Sequence, residues 1–434
     1  MAASAVHETA EAVARRSYGK LVAFLSARTR DVAGAEDALA DAFAAALQSW
    51  PLHGVPDKPE AWLLTVARRR MIDEHRQRRS GEGVADHLVL LAELAGSEEG
   101  VHVEAMHIPD DRLALMFACA HPAIDQGVRS PLILQTILGF DAAAIASAFL
   151  VAPATMGQRL VRAKTRIRQA GIPFRVPEPD ELRERLAAVL DAIYAAYAEG
   201  WVDPAGADAR RRNLADEAIW LGRLVASLLP REPEALSLLS LMLHAQARRG
   251  ARRDAHGAYV PLALQDPALW DGPMIEEAEG LLQHAGTLQG IGRYQLEAAV
   301  QSAHCVRRQT GSSDWAAVAQ LYEALWALTG SPVVAINRAV ALAETAGPQA
   351  GLAALDALAG DARLADYQPW WAARAGLLAR TGDAAAADTA YERAIGLERD
   401  PAVRQFLQER RSEIRPAPNA MRRDAINPAD VGGG

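Results

Sequence analysis

The sequence predicts an all-α protein: two small helical domains followed by a large helical-repeat domain. Three observations carry this. Alanine and leucine dominate, and valine and isoleucine seldom alternate with polar residues, which favours helix over sheet. Apolar residues recur at helical spacing along most of the chain. Prolines and short polar residues stand where such patterns begin. With 434 residues, 50% of them hydrophobic, the chain can build several packed cores.

Residues 8–80 contain three helical patterns. The first, near Glu8–Arg28, places Val13, Tyr18, Leu21, Val22 and Leu25 on one face. The second runs from about Asp31, a good N-cap, to Trp50, with Leu39, Phe43 and Leu47 as an apolar stripe. The segment Trp50–Pro59 is full of breakers and reads as a loop. The third starts near Pro59 and continues to about Arg79. Residues 81–108 are polar and acidic, with Glu93, Glu98, Glu99 and Glu104, and read as a linker, partly helical around Leu88–Leu94.

Residues 109–175 read as a second helical domain. Patterns near Asp111–Cys119 and Val128–Leu138 precede a short helix, a tight turn at Val151 and a long helix from Pro153. Met156, Leu160, Ala163 and Ile167 make its inward stripe, leaving Thr155, Gln158, Arg159, Arg162 and Arg166 outward. Residues 180–415 are helical in pattern throughout. Tyr322 and Pro332 are spaced as Tyr391 and Pro401 are, and Trp371, Ala375, Gly382, Ala387, Tyr391 and Ala394 fall at tetratricopeptide spacings. The tail 416–434 is short, polar and ends in glycines, a composition that favours disorder.

The net charge of −8 argues against a general basic nucleic-acid binder, but it hides segregation. Arg68–Arg79 carries a local +4 and Arg159–Arg175 a local +6, so the remainder carries −18. Two focused basic segments on an acidic protein suit two separate nucleic-acid contacts. On the third helix, Arg68, Arg69, Arg70, Arg76 and Arg79 can neutralise phosphates, while the adjoining loop offers Trp50 and His53, and Trp62 follows, beside an unstacked base. On the helix-turn-helix pattern, glutamine and arginine can read base edges in a major groove.

Other function classes find little support. There is no P-loop, G-x-G-x-x-G, H-E-x-x-H or C-x-x-C, so neither an enzyme nor a cofactor site is expected. Cys119 and Cys305 read as buried thiols in a reducing cytoplasm. No run of 18 apolar residues occurs, so no membrane span is expected.

The segments AEDALADAFAAAL (Ala35–Leu47) and KPEAWLLTVARRRMIDEHRQRR (Lys58–Arg79) resemble region 2 of extracytoplasmic-function RNA polymerase sigma factors. AAIASAFLVAPATMGQRLVRAKTRIR (Ala143–Arg168) resembles their region 4, and the C-terminal half is similar to the subgroup with a tetratricopeptide-like extension. The resemblance implies a cytoplasmic sigma subunit without catalytic residue, cofactor or metal. Its partners would be core polymerase, at the β′ clamp and β flap, and promoter DNA. Asp37, Asp41 and Phe43 would dock on polymerase, although alanine and leucine stand at positions 40 and 47, where the family often has glutamine and tryptophan. Trp50, His53 and the arginines of the third helix would hold the −10 element. Thr155, Gln158, Arg159, Arg162 and Arg166 would read the −35 element. The C-terminal domain would govern activity, with a protein or peptide as its possible ligand. A DNA-binding regulator that never joins polymerase remains the alternative.

Overall fold

The computed structural model describes residues 2–78, 111–149, 151–201 and 209–414. The described residues are helical, with no strand beyond a single bridge between Arg253 and Tyr259. They divide into two compact units, residues 1–201 with 209–221 and residues 202–208 with 222–434. The acidic linker and the glycine-ended tail lie outside the described residues.

The first unit opens with α1 (Ala2–Thr29), α2 (Val32–His53) and α3 (Pro59–Arg78), which pack on one another. Asp31 caps α2 as its residue type suggests, its side chain accepting from Gly34 N at 3.0 Å. The core face of α2 is not the expected stripe. Ala35, Ala38, Leu39, Ala42, Ala46 and Trp50 are buried, Phe43 is half-buried and Leu47 is 39% exposed. Small alanines let the helices approach closely, so of the expected stripe Leu39 alone is fully turned inward. The helix also runs further than the breakers suggest. Pro51 sits in its last turn, and Gly54, at φ 85°, closes it by donating to Trp50 O at 2.9 Å.

Next come α4 (Arg112–Cys119), α5 (Gln126–Leu138), α6 (Ala142–Ala148), α7 (Pro153–Gln169) and α8 (Pro179–Trp201). Helices α4 and α5 pack on α1, α7 packs on α2 and α5, and α8 packs on α5. The two basic segments therefore share one compact unit, where the sequence suggested separate modules on a tether. Gly19 shows how close α1 and α5 come: a Cβ there would lie 1.9 Å from Ile137 O. The break between units falls at Leu221–Gly222, within α9 (Ala209–Leu228).

The second unit continues with α10 (Pro233–Ala247), α11 (Gly272–Thr287), α12 (Arg293–Cys305), α13 (Arg307–Thr310), α14 (Trp315–Thr329), α15 (Pro332–Ala346), α16 (Pro348–Asp356), α17 (Gln368–Thr381), α18 (Ala384–Leu397) and α19 (Pro401–Ile414). From α14 onward each helix packs mainly on the next, as expected of a helical-repeat array. Pro332 and Pro401 each stand at the start of a helix, and Ala375, Ala387, Tyr391 and Ala394 are buried in one cluster. Gly382 takes φ 88° where α17 ends, a conformation that a Cβ would strain.

The segment Gly290–Tyr294 leads into α12. The Glu234 carboxylate, on α10, accepts from Tyr294 N at 2.9 Å and Gln295 N at 3.0 Å and so caps α12 from another helix. Gly292 admits it: a Cβ there would lie 2.2 Å from Glu234 Cδ.

Candidate nucleic-acid interface

Helix α3 turns Leu63, Leu64 and Ala67 into the core and leaves its opposite face outward. Lys58, Ala61, Trp62, Thr65, Val66 and Arg69 recur at helical spacing and line an open groove of about 640 Å³. Pro56 and Asp57 complete the lining, so the groove combines an apolar wall with charges of both signs and has room for one planar base.

Trp50 does not belong to its surface. It is 1% exposed and meets Trp62 edge to face, with ring centroids 5.6 Å apart. It supports Trp62 from below, and only Trp62 faces the groove. Burial of this large ring outweighs the helix-breaking character of Pro51 beside it. His53 is exposed, its Nδ1 3.1 Å from Ser49 O.

The arginines of α3 divide. Arg69 and Arg70 are exposed. Arg68 is half-buried over the Phe24 ring, 5.2 Å from its centroid, and Arg28 lies over the same ring. Burial, then Arg28, lowers its pKa, so Arg68 is in part a packing residue and not the free phosphate contact expected. The Arg76 side chain and all of Arg79 lie outside the described residues.

Asp37 and Asp41 are exposed on the outer face of α2, away from its buried alanines. Asp41 Oδ2 lies 3.8 Å from Arg70 Nε, both side chains more than half exposed, so water screens this pair strongly.

Helices α6 and α7 are a short and a long helix that pack on each other across a tight turn. Asp141 caps α6, accepting from Ala143 N and Ala144 N at 2.9 and 2.8 Å. Val151 N donates to Ala146 O at 2.9 Å in the turn. Helix α7 starts at Pro153 with no side-chain cap from Ala152. Met156, Leu160, Ala163 and Ile167 are all buried, and Thr155, Gln158, Arg162 and Arg166 are exposed, with Arg159 half-buried.

The cations of this region fall into two groups. Lys164 is paired with Glu36, Arg168 with Asp31 at 3.2 Å, and Arg175 with Glu178 and Glu181. Arg159, Arg162 and Arg166 have no carboxylate partner among the described residues. All three line a groove of about 510 Å³ that also includes Ile124, Asp125 and Val128. Of these three, Arg162 and Arg166 are exposed and Arg159 is half-buried, while the paired Arg168 is exposed as well. The pairing of Lys164 and Arg168 was not legible, because their partners lie more than a hundred residues away.

Both cysteines are buried free thiols, with burial raising Cys119 to about 12 and Cys305 to about 11, far from a reactive thiolate. Among the described residues no cluster of His, Cys, Asp or Glu is placed to hold a metal. None of their helices is long and apolar enough to cross a membrane.

An uncharacterized protein of Rhizobium meliloti (strain 1021) is 39% identical over 376 residues, covering 86% of this chain and 88% of its own. The chain belongs to the same family as that protein. Residues 13–81, which span α1–α3, match Sigma-70 region 2. Residues 185–286 match a family of unknown function, DUF6596. No solved structure matches the chain. The N-terminal part is thus a sigma-70 region 2-like domain, which ties the chain to transcription initiation and promoter recognition in general.

Proposed function

We propose that this protein is an RNA polymerase sigma factor of the extracytoplasmic-function type. It directs core polymerase to promoters through two DNA contacts. The observation that carries this reading is the sigma-70 region 2 match on α1–α3, where an outward groove combines Trp62 with Lys58 and Arg69. The groove is suited to a base unstacked from the melted −10 element, with Arg69, Arg70 and His53 along the strand. Asp37, Asp41 and Phe43 on α2 supply the face for the β′ clamp.

The second contact is α7. Thr155, Gln158, Arg162 and Arg166 are free to enter a major groove at the −35 element, and Arg159 borders them. Each contact alone is weak. Mounted together on polymerase, the second becomes intramolecular and the pair gains in effective concentration. The C-terminal helical-repeat unit, read as tetratricopeptide-like, governs activity by taking a protein or peptide ligand.

The test is run-off transcription with purified core polymerase on genomic fragments, with the full chain and with a chain ending before Gly222. Specific initiation that requires the protein is expected, altered in level by the truncation. A protein that binds promoter fragments but never joins core polymerase would be a regulator and not a sigma subunit.

A further inference from the structure

Between α10 and α11 the chain makes a detour. The two helices pack directly on each other, yet 24 residues, 248–271, connect them. Connections between packed helices usually take roughly 2–8 residues, and longer ordered ones are commonly binding elements. This one is held by side chains from elsewhere in the second unit. Its tip carries the bridge between Arg253 and Tyr259 and reaches α19. There Arg253 pairs with Asp400 at 2.5 Å, and the Tyr259 and Phe406 rings meet edge to face at 5.6 Å. Further on, Arg307 donates to Leu262 O at 2.9 Å and to Gln265 O at 3.0 Å. The Arg308 guanidinium lies over Gly272, where a Cβ would come within 2.5 Å of it.

Held this way, the connection turns aliphatic side chains outward. Leu264 is 70% exposed, Leu269 is 63% exposed, and Val306, just before α13, is 38% exposed. Each stands one or two residues from a member of one cluster, Leu262, Trp270 and Cys305, so the three surround a single spot. The Arg307 bonds on either side of Leu264 bring Val306 beside it. Charge is concentrated here too. Residues 248–271 and 306–310 hold six arginines against three aspartates, while the other residues of 222–414 hold twelve arginines against nineteen acids. The three aspartates accept from backbone amides, Asp254 from Ala258, Asp266 from Ala268 and Asp271 from Met274. Arg308 is exposed.

Resting on the reading that this unit takes a protein or peptide ligand, we infer that Leu264, Leu269 and Val306, with Arg308 at their edge, are a docking surface for an acidic amphipathic helix of a partner protein. Exposed aliphatic groups gain from burial against other apolar groups, and a basic rim favours an acidic companion. A helix fits because one of its faces supplies aliphatic residues at successive turns, flanked by carboxylates. An added strand has no sheet edge to join, since the described residues hold no extended pairing beyond the single Arg253–Tyr259 bridge. An anionic membrane suits the surface less. The acidic excess over the rest of the unit repels it, and three aliphatic side chains on a fixed frame insert little area. Arg253 and Arg307 already order the frame, so docking sacrifices little loop entropy.

The probe is a fluorescein-labelled synthetic helix of about 20 residues, leucine on one face and glutamate on the other, titrated into the full chain and followed by anisotropy. Saturable binding is expected, weakening as salt rises. Leu264→Ser with Leu269→Ser should weaken it at least tenfold. Arg308→Glu should weaken it too, and gain affinity for the same helix with lysine in place of glutamate. All three side chains are exposed, so an unchanged Tm is the check that each variant folds. No saturable binding, or equal binding of the two helices, overturns the acidic helix as occupant. Saturable binding that ignores the substitutions overturns the surface and leaves the unit a peptide ligand elsewhere. Tighter attachment to vesicles of anionic phospholipid than to the helix, or self-association lost with the same leucines, would give the face to a membrane or to a second copy and also overturn the inference. None of these measurements uses polymerase or promoter DNA, so their failure leaves the sigma reading standing. Transcription with the chain ending before Gly222 still reports whether the unit governs activity.

Discussion

Lys164, on the outer helix of the helix-turn-helix, donates to Glu36, on the helix that bears Asp37 and Asp41. The pair joins residues 128 apart in sequence. Burial raises the Glu36 pKa, and the attraction of Lys164 opposes that without reversing it. The contact therefore fixes where α7 sits against α2 more than it stabilises the fold.

Arg159 and Arg162 should matter for DNA and not for folding. Arg159→Ala and Arg162→Ala are expected to lower initiation at the cognate promoter while leaving polymerase association intact. Each should reduce the salt dependence of promoter binding by about one unit of slope. Run-off transcription and binding titrations at several salt concentrations check this. Wild-type initiation by both variants would refute the assignment of α7.

The two tryptophans at the α3 groove should separate. Trp50→Ala empties a buried site and is expected to cost about 3–5 kcal/mol of stability, seen as a lowered Tm. Trp62→Ala should leave Tm much closer to wild type but impair initiation on duplex templates. A template already unpaired at the −10 element should recover part of that loss. Equal defects on both templates would place Trp62 outside strand opening.

The second unit should weaken in mild acid. His244 and His304 are buried, and burial followed by Arg248 lowers both to about 4. His244 Nε2 lies 3.5 Å from the Glu279 carboxylate, a separation that would suit a charged ring, yet the burial of the ring decides for the neutral form. An imidazole lowered in the folded state contributes stability above about pH 6.5, and loses it as pH falls toward 4. The loss is at most on the order of 3 kcal/mol for each ring. Denaturant unfolding between pH 7 and pH 4 should show the decline, and His244→Gln should flatten it.

The cap from Glu234 should be measurable. Glu234→Ala is expected to cost about 1 kcal/mol by leaving the Tyr294 and Gln295 amides without their acceptor. Gly292→Ala should cost a similar amount, because its Cβ displaces the same carboxylate and its own φ of −118° imposes no strain. If the double variant loses twice as much as either single one, the two residues do not act through one cap.

Local chemistry made much of this protein legible. Asp31 declares the start of α2, and Pro59 and Pro153 the starts of α3 and α7. The stripe Met156, Leu160, Ala163 and Ile167 turns inward as its spacing requires, and Arg162 and Arg166 face outward opposite it. These readings succeed because capping, proline geometry and helical period act within a few residues. Helix contacts decided the rest. Pro51 and Gly54 signal a loop that would expose Trp50, while Trp62, the ring it packs against, lies on the next helix. Phe43 and Leu47 gave way to alanines because close packing of α1–α3 favours small residues on the inner face. The partners of Lys164 and Arg168, and with them the union of two basic helices in one unit, depend on charges brought together by folding alone. Short-range rules carry no term for such pairs, since their energy exists only once the chain has closed on itself.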